Sequence, residues 1–141
     1  MKRTIRPNIV PAYTLHDMQV SDFQLSGDDL KMVMQTGLIK NTPPESQPDG
    51  WVEFHKVQWD YSYVYLMAGE GLAGNVGKFR GEKMFLKEFL RRFPEPSYTI
   101  LDETYGYNQT KYSGFLYVGE ALQECILEIC HDGDMVFTTE E

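Results

Sequence analysis

Gly69, Gly71 and Gly74 stand in the spacing G-x-G-x-x-G, which lets a backbone approach a pyrophosphate where a strand turns into a helix. The helical periodicity begins only after Gly81, Asn75 and Gly77 interrupt the interval, and no βαβ unit surrounds it. A loop or weak edge strand is therefore expected there, and no dinucleotide or other cofactor. Cys125, Cys130 and His131, with His16 and His55, supply soft ligand atoms, but no pair has the C-x-x-C or H-x-x-x-H spacing of a zinc site. The expectation is no metal. On a strand Cys125 shares a face with Leu127 and Ile129, which makes it a core thiol, and its five-residue separation from Cys130 puts the two on opposite faces, unfavourable for a disulfide. His131, beside Asp132-Gly133, is expected in a solvated hairpin turn.

Carboxylate pairs able to divide acid and base work are common in so acidic a chain: Asp102/Glu103, Asp132/Asp134 and Glu124/Glu128 all qualify. Asp102 and Glu103 are adjacent, so a strand would point them apart, and Glu124/Glu128 read as the outer row of a half-solvated strand. No G-x-S-x-G elbow marks a nucleophile. No catalytic residue is assigned.

The elements that must position these residues are mostly strands. Residues 18–35 alternate apolar and polar positions on both sides of a Ser26-Gly27-Asp28-Asp29 turn, the pattern of a hairpin. Residues 51–67 alternate too, and their length predicts a bend near Asp60 that divides them into two strands. Further strands are expected at 98–103, 111–118 and 134–138, with 119–131 readable as strand or helix. Phe85, Leu86, Phe89, Leu90 and Phe93 form one stripe at helical spacing, predicting an amphipathic helix near 82–93 that stops before Pro94. The sum is a single α+β domain over 1–141 with a Pro-rich internal loop at 36–50. Its mainly antiparallel β sheet has about six to eight strands, a sandwich or open barrel carrying one helix.

The 141 residues are 42% hydrophobic, enough for a folded core, and carry a net charge of −8, which opposes phosphate backbones and anionic lipid. Neither a nucleic-acid nor a membrane partner is expected. Met1-Lys2-Arg3 leads to Pro7 and Pro11, not to an apolar leader segment, so a cytoplasmic location is the expectation. Six basic residues lie between 78 and 92 beside two acidic ones, leaving seven basic and nineteen acidic residues elsewhere. Aromatic residues concentrate on the predicted strands, where many serve as core, but Tyr61, Tyr63 and Tyr65 share one strand face and Tyr105 and Tyr107 flank a loop tip.

Two functions follow as expectations. The first is a small acidic protein-interaction module that meets a protein, basic or otherwise, through Tyr61, Tyr63, Tyr65, Tyr105, Tyr107, Asp102, Glu103, Glu124 and Glu128. An immunity-type inhibitor that covers a basic toxin site is one form of it, by analogy of charge and size. The alternative is a small-molecule or carbohydrate-binding, weakly catalytic β-barrel, with Trp51, Trp59, His55 and Asp60 lining an aromatic pocket. A homodimer through an edge strand or the aromatic face fits either.

Overall fold

The computed structural model describes residues 1–7, 10–67 and 80–141; the glycine pattern at 69–74 and the rest of the interval from 68 to 79 lie outside them. In chain order the elements are β1 (Lys2–Ile5), β2 (Tyr13–Thr14), β3 (Gln19–Ser26), β4 (Asp29–Met34), β5 (Ile39–Lys40), β6 (Gly50–Phe54), a 3-10 turn (Trp59–Tyr61), β7 (Tyr63–Met67), β8 (Gly81–Phe85), α1 (Leu86–Arg92), β9 (Ser97–Gly106), β10 (Gln109–Val118), β11 (Ala121–Cys130) and β12 (Met135–Thr139). Ten of the strands form one antiparallel sheet in the order β1-β12-β6-β4-β3-β9-β10-β11-β7-β8, while β2 and β5 pair separately. The architecture is α+β as expected, but the sheet has ten strands, not six to eight. It is open, with β1 and β8 as its edges.

The sheet folds over on itself. Within the sheet its first half (β1-β12-β6-β4-β3) joins its second half (β9-β10-β11-β7-β8) at the short β3–β9 pairing, Gln19↔Thr99 and Val20↔Tyr98. Alternation gives β4 and β11 apolar inner faces, Leu30, Met32 and Met34 on the one and Cys125, Leu127 and Ile129 on the other, and one core takes both sets. Phe54 of the first half lies edge-on to Tyr112 of the second, with ring centroids 6.4 Å apart. Burial pushes the Cys125 thiol up to about 12, as an inert core thiol requires.

A sharp corner joins the halves. Residues 55–58 and 130–134 run antiparallel from one half to the other, tied by His55 N to Asp134 O at 2.9 Å, Gly133 N to His55 O at 2.9 Å and Gln58 N to Cys130 O at 2.8 Å. Asp132-Gly133 is therefore not a hairpin turn: β11 pairs with β10 and β7, and β12 pairs with β1 and β6. Gly133 is required because a Cβ there would stand 2.8 Å from the His55 carbonyl oxygen.

The corner also corrects the expectation for His131, which is 2% exposed. Its Nδ1 lies 3.0 Å from the Gly133 carbonyl and so carries the proton, leaving Nε2 to accept from the Thr110 hydroxyl at 3.0 Å. Burial, chiefly, holds its pKa below the ordinary value of 6.5. Above that value the ring is neutral in both folded and unfolded chains; below it the unfolded chain takes up a proton that the folded one refuses. Stability should therefore fall as the pH drops below about 6.5, by no more than about 1.4 kcal/mol per pH unit for this one group. Urea titrations of the wild type and of His131→Gln between neutral and mildly acid pH check this, since the variant should lose that share of the slope.

The helix is shorter than its stripe suggested. Residues 81–85 are a strand because Met84 turns inward while Lys83 and Phe85 turn outward against β7, and only Leu86 and Phe89 of α1 are buried. Within segment 119–131, Ala121–Cys130 is strand β11, pairing residue for residue with β10, after a turn at Gly119-Glu120. Among the described residues no helix is long and apolar enough to cross a membrane.

Candidate functional site

The outer face of the second half carries aromatic residues that the core does not use. On β7, Val64 and Leu66 point inward, so Tyr63, Tyr65 and Met67 point outward. Register then places Phe85 beside Tyr63 and Lys83 beside Tyr65 on the neighbouring edge strand β8. Tyr63 and Phe85 stack, with centroids 5.3 Å apart and planes 23° from parallel. The Lys83 ammonium sits 4.3 Å from the centre of the Tyr63 ring.

Behind Phe85 the surface dips into a groove of about 430 Å³ between the 3-10 turn and α1, lined by Trp59, Asp60, Phe85, Lys87, Glu88 and Arg91. The Trp59 ring packs on the core with its Nε1 shut away from solvent and without a hydrogen-bond partner, so the groove meets an indole ring and not a donor. Lys87 Nζ lies 5.5 Å from that ring. Arg91 is held on Glu88 at 3.0 Å, and Arg92 on Glu82 at 2.8 Å. Tyr61, 67% exposed, ends the 3-10 turn before β7 begins, so it does not share the strand face of Tyr63 and Tyr65 on which the sequence placed it, while Phe85 in the lining is 51% exposed. Such an arrangement can take up an apolar side chain and a negative charge together.

Comparison with family models, with curated proteins and with solved structures finds no match to this chain.

The structure distributes the other sequence-predicted residues over separate places. Glu128 is on the same outer face, but it is half-buried, 3.7 Å from Lys111 and beside Tyr65, whose phenol burial and then Glu128 hold above its usual pKa. Asp102 and Glu124 are exposed on the outer side of the sheet. Glu103 instead points inward, its carboxylate accepting from the Leu15 backbone N–H at 2.8 Å, the Thr14 hydroxyl at 3.1 Å and the Tyr105 hydroxyl at 3.1 Å. The cause is a bulge: β9 pairs Asp102 with Ser113 and Ile100 with Gly114, so Leu101 is an extra residue. Past it, Glu103 and Tyr105 take the inner positions that strict alternation would have given to Asp102 and Thr104.

Tyr105 is thus largely internal, with the Arg6 guanidinium 4.9 Å from its ring centre, and burial raises its pKa. Tyr107 sits at the β9–β10 turn, 95% exposed, where it and Arg6 line two small cavities of about 170 and 250 Å³. Trp51 and His55 belong to the outer face of the first half. Trp51 donates to Glu53 at 3.0 Å under Lys31, and His55 lies 3.4 Å from Asp29. They do not share a pocket with Trp59 and Asp60. Among the described residues no three His, Cys, Asp or Glu side chains gather where they could hold a metal ion.

Phe85 is the residue that the sequence reading missed as a surface group. A period of two across Gly81-Glu82-Lys83-Met84-Phe85 would have found it, because it sets Lys83 and Phe85 on one side and Met84 on the other.

Proposed function

We propose that the protein is an interaction module without chemistry of its own, binding a protein partner through the outer aromatic face of β7 and β8 and the groove beside α1. The observation that supports this most is the Tyr63–Phe85 stack, a pair of large rings at an open sheet edge that continues into an apolar groove. The acidic residues support it less, since Glu103 and Glu128 are engaged within the chain. The aromatic-pocket alternative loses its shared lining, with Trp51 and His55 on one half of the sheet and Trp59 and Asp60 beside the other.

The test is affinity capture from lysate of the native host with three baits: the wild type, a Tyr63→Ser/Phe85→Ser variant, and a Trp51→Ala variant altered on the opposite half. A near-stoichiometric protein should come down with the wild type and with Trp51→Ala, and fall by about tenfold or more with the double variant while its melting temperature stays close to the wild type's. The same protein recovered equally by all three baits would overturn the assignment of this face.

A further inference from the structure

The geometry points to an acidic peptide segment, one that carries an aromatic or large aliphatic side chain beside carboxylates, as the occupant of the Trp59–Phe85 groove. This rests on the reading of that face as a protein-binding surface and specifies what the surface takes. The floor is apolar and ring-lined, which suits one large side chain. The charges around it are uneven. Arg91 and Arg92 are neutralised by Glu88 and Glu82. Lys83 and Lys87, on either side of Phe85, have aromatic rings beneath their ammonium groups and no carboxylate within ion-pair distance among the described residues. Both ammonium groups are exposed, with Lys83 also facing the Tyr65 hydroxyl, so a carboxylate on the partner can pair with each of them, and the docked partner would shield those pairs from water. Asp60, the remaining acidic group of the lining, disfavours a carboxylate at its own end and so biases the segment's charges toward the lysines.

A second copy of the chain fits the open edge poorly. The register that pairs all five residues of β8 with another β8 in antiparallel fashion sets Lys83 opposite Lys83, and like charges in directly opposed positions destabilise a strand pair.

The experiment is selection of random displayed peptides of about 12 residues against the full chain, a length that can cross the groove as a strand or helix. Enriched clones should place Asp or Glu within a few residues of Phe, Trp, Tyr or Leu. A synthetic peptide from the leading clone should bind about tenfold or more weakly to Lys83→Glu/Lys87→Glu and lose affinity between about 0.05 and 0.5 M salt, while Lys31→Glu, on the other half of the sheet, should bind it as the wild type does. Clones whose binding falls with Phe85→Ser but ignores the charge reversal would overturn the acidic class and leave the docking face standing. Clones indifferent to both changes would overturn both. Failure to enrich any peptide, or self-association of the chain with this same charge dependence, would also overturn the acidic segment.

Discussion

Gly114→Ala should unfold or nearly unfold the protein, costing about 3 kcal/mol or more. A Cβ at this position would lie 1.9 Å from the Thr99 carbonyl oxygen and 3.1 Å from Tyr98 Cζ. The first of these is backbone of the adjacent strand, so no rotamer change relieves it; β9 would have to move away from β10 and break the ladder on both sides of the bulge. Gly106→Ala, eight residues earlier on β9, is the matched control. Nothing lies within 4 Å of its added methyl, and a change within about 0.5 kcal/mol is expected. Urea titration of the two variants decides the matter, and equal midpoints would mean that β9 and β10 do not approach as described.

Phe54→Ala should remove about 3–5 kcal/mol, the usual cost of deleting a buried phenyl ring. Phe54 is fully buried and contacts both sides of the fold, with Tyr112 across the core and His131 at the corner, 5.4 Å between ring centres. Its loss takes packing from the place where the two halves are pressed together. Phe54→Leu keeps most of the volume and should cost less than about 1.5 kcal/mol. The alanine variant should also show a weaker acid dependence, because His131 loses part of the cover that keeps its ring neutral. A loss below about 1 kcal/mol would show that the halves are held together by other contacts.

What the sequence disclosed followed from local periodicity. The β3–β4 hairpin, the division of 51–67 into two strands, the inward row of Cys125, Leu127 and Ile129, and the outward placing of Tyr63 and Tyr65 all depend on alternation within one segment. What stayed hidden depended on partners remote in the chain. Lys2–Ile5 has no apolar alternation and becomes a strand only because β12 offers it an edge. Asp132-Gly133 has the composition of a tight turn, and nothing local says that the next strand will pair with β6 instead of β11. The inward turn of Glu103 and Tyr105 depends on one inserted residue, Leu101, whose clue was a glycine on the opposite strand. Of the candidate face, the tyrosines and the basic segment were legible separately. Their junction was not, because Phe85 satisfies a helical stripe and a strand alternation equally well, and pairing with β7 decides between them.

The position of β12 has a consequence in time. It fills the slot between β1 and β6, yet β6 ends at residue 54 and β12 begins only at residue 135. At synthesis rates of about 5–20 residues per second, the ribosome needs roughly 4–16 s to supply the missing strand. For that interval β1 has no neighbour and β6 shows an unpaired edge, while the hairpins of the second half, made from contacts close in sequence, can already close. The nascent chain thus presents Gly50–Phe54 to intermolecular strand pairing, and a chaperone that shields extended apolar segments would find a target there.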